Sequence, residues 1–169
     1  PVIYENTLLF NGKDSSDTSR IYQFDGENIS PVPVAAGCDY VQYILNPVEF
    51  NDKLYFYGHN GTIYYLYYYD GTSIKKMQQG TSNMVRSNSS NMLICGNTLY
   101  LSGNNGSQDY DRPYYTEDTE IHNVSQVPGL DYQKGFSRPT LNGNRILFSG
   151  IYGVINSIYQ EKVYALEGN

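Results

Sequence analysis

Pro47–Gly58 reads PVEFNDKLYFYG, Leu66–Thr72 reads LYYYDGT and Ile74–Met77 reads IKKM; together they form one unit of a pattern that recurs through the chain. The first copy has PVIYENTLLFNG ending at Gly12, IYQFDG ending at Gly26 and ISPV from Ile29. The third has MLICGNTLYLSG ending at Gly103, YYTED over 114–118 and IHNV from Ile121. The fourth has LNGNRILFSG ending at Gly150 and closes on VYALEGN. Gly12, Gly58, Gly103 and Gly150 stand 46, 45 and 47 residues apart. Leu8, Leu54, Leu99 and Ile146 fall four residues before that glycine. Ile21, Leu66, Pro113 and Val163 open the third run, and Asp25, Asp70, Glu117 and Glu167 carry its acidic end. Ile29, Ile74 and Ile121 start a fourth run, with Val32, Met77 and Val124 three residues later. A fixed period of this size marks a repeat architecture, with copies over 1–46, 47–91, 92–137 and 138–169.

Each run is short and rich in Tyr, Phe, Ile, Val and Leu, residues that suit a pleated surface. Asn51-Asp52, Asn97 and Asn142-Gly143-Asn144 separate the first two runs, and Asp25-Gly26 and Asp70-Gly71 separate the third and fourth. Asn, Asp and Gly tolerate left-handed conformations, so these segments predict tight hairpins. No window repeats apolar residues at helical spacing for two turns, so helix content should be near zero. Four strands per unit of about 40–50 residues predict an all-β fold, a four-repeat β-propeller with antiparallel four-stranded blades. The fourth copy stops at the position of Thr72, so its blade should lack the outer strand and leave the run 162–166 as an unpaired edge.

The segment KLYFYGHNGTIYYLYYYDGT (53–72) resembles the ELWxxDGT-type repeat of bacterial extracellular and surface proteins. Its layout, NGKLYFxG followed by a LYxYDGT-like strand, is also similar to kelch blades, and similar Tyr- and Asn-rich repeats occur in phage tail proteins. The kelch double glycine and its later tryptophan are absent; the chain has no Trp. The resemblance spans nearly the whole chain and implies a propeller, placed outside the cell, on its surface or on a virion. It names no active site.

A formal charge of −6 with only 11 Lys and Arg argues against a phosphate-binding surface, so nucleic acid is not an expected partner. No stretch approaches 18 apolar residues, so no membrane insertion is expected. Pro1 in place of a start methionine reads as a processed product or an excerpt. Asn28, Asn60, Asn88, Asn105 and Asn123 open glycosylation sequons, several of which arise by chance in so Asn- and Ser-rich a chain. By register, Cys95 replaces Phe50 on an inward-facing first strand, while Cys38 lies between blades; a bridge between them or two free thiols are both open. Tyrosine is abundant, 19 of 169 residues, five of them within 64–69. A blade packed on both faces needs large flat side chains whose hydroxyls reach the rim; a sugar- or protein-binding surface would use the same residues.

Function on a repeated scaffold tends to sit on its variable loops: here 13–20, 59–63, 104–112 and 151–161 within blades, and 35–46, 79–90 and 127–137 between them. Gly37-Cys38-Asp39-Tyr40 matches Gly129-Leu130-Asp131-Tyr132. Asp39, Tyr40, Arg86, Asp131 and Tyr132 are therefore the candidates to ring one end of a central channel, where acidic and aromatic groups suit a neutral glycan, or Ca²⁺ if carboxylates converge. The plainer reading is that Asp and Tyr close each loop by bonding its own backbone. No catalytic set can be argued from His59 and His122, a loop and an outer-strand position. Asp109, Asp111, Glu117 and Asp118 are a local cluster rather than a converging glycosidase pair. Asp14 and Asp17 lack EF-hand spacing. Neither a resident metal nor a cofactor is expected. The expected role is a non-catalytic binding or scaffold module whose partners are other protein domains or subunits. A lectin-like carbohydrate-binding module and a fragment of a propeller glycosidase or lyase are the alternatives.

Overall fold

In a computed structural model the chain is described over residues 1–38, 41–79, 82–83, 92–103, 112–124, 134–155 and 158–167. The protein is all-β, with no helix among these residues. It divides into two compact units, Pro1–Met77 and Gln78–Asn169.

The first unit holds two antiparallel meanders. One is β1 (Val2–Tyr4), β2 (Thr7–Lys13), β3 (Ser19–Phe24) and β4 (Ile29–Pro31), hydrogen-bonded in that order. The other is β5 (Leu45–Phe50), β6 (Lys53–His59), β7 (Tyr64–Tyr69) and β8 (Ile74–Lys76). The second unit begins with a short hairpin, β9 (Gln78–Gln79) and β10 (Ser82–Asn83). A four-stranded meander follows, β11 (Met92–Cys95), β12 (Thr98–Gly103), β13 (Arg112–Thr116) and β14 (His122–Asn123). A three-stranded sheet ends it, β15 (Lys134–Asn142), β16 (Arg145–Ile155) and β17 (Ile158–Glu167). Four sheets of four, four, four and three strands thus stand where the four sequence copies fall.

The hairpins form for the reasons the sequence suggested. Glu5-Asn6 and Asn51-Asp52 hold positive φ at both central positions (46° and 63°, 47° and 52°), as the type I′ turn requires. In the third and fourth copies the positive φ falls on Gly96 and Gly143. The Asp-Gly corners work through the aspartate: Asp25 Oδ1 accepts the N–H groups of Glu27 and Asn28, and Asp70 Oδ1 those of Thr72 and Ser73. The acidic column changes role further along. Thr116 Oγ1 accepts the Asp118 N–H in the third copy, and Glu167 instead ion-pairs with Arg145 at 2.7 Å.

Fourth strands lock onto third strands by one repeated bond. The N–H groups of Val32, Met77 and Val124 donate to the carbonyls of Ile21, Leu66 and Pro113. β17 carries no such strand among the described residues. A second repeated bond anchors the segment after a copy: Ile74 N–H donates to Pro33 C=O in the first unit, and Ile121 N–H to Gln78 C=O in the second.

Each sheet has two faces. We call leading the face that bears Tyr4, Leu9, Ile21 and Gln23 in the first copy, and trailing the one that bears Leu8, Phe10, Tyr22 and Phe24. In the first unit the first copy's leading face packs on the second copy's trailing face: the Tyr4 and Tyr69 rings meet edge-on at 5.8 Å, and the Tyr69 hydroxyl donates to Gln23 Oε1. The second unit repeats this. Leu93, Cys95, Tyr100 and Tyr115 on the third copy's leading face pack with Phe136, Ile146, Phe148, Tyr164 and Leu166 of the fourth. Cys95 thus fills the core as its register with Phe50 predicted, and both cysteines are free. Leu54, Phe56, Leu99, Leu101, Ile146 and Phe148, all on second strands, are buried. Each such side chain contributes about 1.5–3 kcal/mol when fully buried.

The glycine column has a packing cause. A Cβ on Gly12 would lie 2.8 Å from Tyr22 Cδ2, and one on Gly58 2.9 Å from Tyr67 Cδ2. At Gly12 and Gly58 the third-strand tyrosine lays its ring across the bare backbone.

Several boundaries differ from expectation. The supposed loop 151–161 is mostly strand: β16 and β17 continue as a long ribbon paired from Arg145↔Glu167 to Ile155↔Ile158, with an irregularity between Ile151 and Gly153. Apolar β-branched residues (Ile151, Val154, Ile155, Ile158) extend the ladder past the anchor glycine, a signal masked by its departure from the other copies. The segment 127–137 gives way to β15 from Lys134, and 79–90 includes β10. His59 is the last residue of β6 rather than a loop residue.

Candidate functional site

Asp39, Tyr40, Arg86, Asp131 and Tyr132 lie outside the described residues, as do Asp109 and Asp111. The described residues on either side of the first two make backbone bonds to neighbouring strands. Ala35 N–H donates to Ile74 C=O, and Cys38 N–H closes a turn on Ala35 C=O with Gly37 at φ 75°. Beyond the gap, Val41 is buried against Gly58. Gln42 N–H donates to His59 C=O, and Ile44 N–H donates to Asn11 Oδ1 at 3.2 Å.

These bonds bring the first inter-copy segment onto the β6–β7 loop, and the result is a cluster of aromatic and amide groups in the first unit. The His59 ring lies 4.5 Å from that of Tyr64 and 6.2 Å from that of Tyr43. Gly61 N–H donates to His59 Nδ1 at 3.1 Å. Gln42 Oε1 lies 3.4 Å from the same Nδ1. Asn60 Oδ1 accepts the N–H groups of Thr62 and Ile63 and fixes the loop. Gly61, at φ 97°, supplies the turn that lets its own N–H reach the imidazole. Tyr43 is exposed, and His59 and Tyr64 are half-buried.

Such a cluster offers ring faces for stacking beside side-chain amides for hydroxyl groups. It does not have the geometry of a hydrolytic triad: His59 Nδ1 faces a backbone N–H rather than an orienting carboxylate. His122, in β14, sets its ring 5.2 Å from Tyr115. Sequence reasoning placed the loop 59–63 and the segment 35–46 among the functional candidates, and Tyr64 in the Tyr-rich run that a sugar-binding surface would use, but it did not name Gln42 or Tyr43. The usable signal was a histidine flanked by Asn-Gly at the mouth of a Tyr-rich strand.

Asp14 and Asp17 are otherwise engaged. Asp14 Oδ1 accepts the N–H groups of Ser16 and Thr18, and its Oδ2 accepts Arg20 Nε at 3.0 Å. The Thr18 backbone bond first, then Arg20, holds the Asp14 carboxyl below its ordinary pKa. Asp17 pairs with Lys13 at 2.7 Å. Among the described residues no group of three or more His, Cys, Asp or Glu is placed to hold a metal ion. Nor is any helix there long and apolar enough to cross a membrane.

A phenol is the other unusual group. Burial first, then the nearby charge of Glu5, pushes the Tyr4 hydroxyl up to about 12, so it remains protonated and acts as core. No family model matches this chain, and neither a curated protein nor a solved structure matches it.

Proposed function

We propose that this chain is a non-catalytic binding and scaffold module, four blades of a β-propeller-type repeat that works as part of a larger surface or virion-type assembly. The observation that carries this reading is the edge of β17. In each of the other three copies a fourth strand closes the third through the bonds to Ile21, Leu66 and Pro113. Among the described residues β17 (Ile158–Glu167) is the edge strand of the last copy's sheet. An exposed edge of that length recruits a strand.

A peptide spanning 70–79, which contains the chain's own outer strand Ile74–Lys76, tests the reading. Added in excess, it should slow amide exchange along 162–166. Exchange unchanged by the peptide overturns the reading.

The Gln42–Tyr43–His59–Tyr64 cluster favours a second reading, a lectin-like module that stacks a neutral sugar on Tyr64. A glycan array separates the two: selective signal lost in Tyr64→Ala supports the lectin, and uniform background removes it.

A further inference from the structure

The dipeptide Asn-Gly occurs at Asn11, Asn60, Asn105 and Asn142. It is open to attack of the glycine's backbone nitrogen on the asparagine side-chain amide, because glycine puts no side chain in the way. Asn105 lies outside the described residues, and Asn11 sits inside β2 with Gly12 paired to Arg20. Asn142-Gly143 turns the β15–β16 hairpin, with Gly143 at φ 63°. Of these pairs, Asn60-Gly61 alone follows a histidine directly in sequence, and its loop brings three kinds of group to bear on that reaction.

The nucleophile is the Gly61 backbone nitrogen, whose N–H donates to His59 Nδ1 at 3.1 Å. The imidazole is the acceptor in that bond, and it stands where a general base must stand, within hydrogen-bond reach of the proton it removes. The electrophile is Asn60 Cγ. Its Oδ1 accepts the N–H groups of Thr62 at 3.0 Å and Ile63 at 2.8 Å, two backbone donors set on the oxygen that gathers charge when Cγ is attacked. Asn60 N–H donates to Ile63 C=O and closes the loop, so base, electrophile, nucleophile and oxyanion donors are held together on the consecutive residues 59–63. Asn60 is half-buried and Gly61 exposed, so water reaches the site.

We propose that Asn60 is a self-modification site, converted with His59 as base through a succinimide to aspartate and isoaspartate. His59 takes the Gly61 amide proton as that nitrogen attacks Cγ. A C–N bond forms, the proton passes to the side-chain nitrogen, and ammonia leaves as the cyclic imide closes. Water then opens the imide: attack at Cγ gives aspartate, and attack at the main-chain carbonyl gives isoaspartate, with the chain routed through the side chain. One water is consumed and one ammonia is released, with no oxidant or cofactor. Either product puts a carboxylate beside the His59 and Tyr64 rings, which stand 4.5 Å apart, so an amide site becomes an anionic one. Neither assembly nor sugar binding is required for this chemistry.

The folded chain, incubated at neutral pH and mapped by peptide mass spectrometry, should convert Asn60 roughly tenfold or more faster than Asn142, the same dipeptide in a turn without the histidine. His59→Gln puts an amide in place of the base. It should keep the parent's circular dichroism and bring Asn60 down to the Asn142 rate. The parent alone carries a second test that needs no variant. Unfolding it in guanidinium separates His59, Thr62 and Ile63 from the reacting atoms, so Asn60 should convert more slowly there than in the folded chain. Asn60 that converts no faster than Asn142, or faster unfolded than folded, overturns the proposal. So does a folded His59→Gln variant that keeps the parent's rate, since the base would then have no part in the reaction.

Discussion

Gly58→Ala is a test of the packing that sets the repeat period. An ideal Cβ at that position lies 2.6 Å from Val41 Cγ1, 2.9 Å from Tyr67 Cδ2 and 3.0 Å from Tyr67 Cε2. Carbon atoms in contact prefer about 3.5–4.0 Å, so the added methyl overlaps two neighbours at once by roughly 0.5–1 Å. Neither neighbour has room to withdraw. Tyr67 is fully buried and stacked on Phe56, and Val41 is buried under the segment anchored at His59. Overpacking of this kind costs about 1–3 kcal/mol. Gly12→Ala makes a similar clash on paper, 2.8 Å from Tyr22 Cδ2, but with one neighbour rather than two. Tyr22 is half-buried, and its ring can swing outward. Removing glycine also stabilises by about 0.4–1 kcal/mol through the unfolded chain, so the net effect at Gly12 should be near zero. Urea unfolding of the two variants beside the parent reads the difference. Equal costs at both sites, or a neutral Gly58→Ala, would show that the ring over the glycine is not what excludes a side chain. A partial recovery in Gly58→Ala with Val41→Ala would identify the valine as the harder wall.

Leu99, the second residue of β12, is fully buried, so Leu99→Ala should cost about 2–5 kcal/mol in the same assay, and a negligible cost would place it at the surface. Asp70→Ala removes the acceptor for Thr72, Ser73 and Lys75 and should destabilise by about 1–3 kcal/mol; an unchanged melting curve would show that the corner closes without it. Burial alone would push the Asp70 carboxyl up, but bonds from Lys75, Thr72 and Ser73 overrule it and hold the carboxyl well below the usual carboxylate range. A group depressed in the folded state stabilises above its unfolded pKa of about 4 and loses that contribution as pH falls further. The parent should therefore lose stability below about pH 4 more steeply than Asp70→Asn, and parallel acid limbs would show that another carboxylate governs them. Tyr64→Ala should leave stability nearly unchanged because Tyr64 is only half-buried, so a glycan signal lost in it would report contact rather than unfolding.

The columns legible in the sequence were those with a repeated physical cause. Leu8, Leu54, Leu99 and Ile146 keep one place because each pairs across to the third strand, and the last three are buried there. Asp25 and Asp70 keep theirs because each carboxylate caps two N–H groups of a turn. What failed to read through was what a single copy does alone. The long β16–β17 ribbon follows no other copy, so alignment made it a loop. The acidic column extended to Glu117 and Glu167 by residue type, although Thr116 and Arg145 had changed the chemistry there. The cluster at Gln42, Tyr43, His59 and Tyr64 is assembled from two segments whose approach depends on backbone bonds to His59 C=O and Asn11 Oδ1, and no residue pattern announces those.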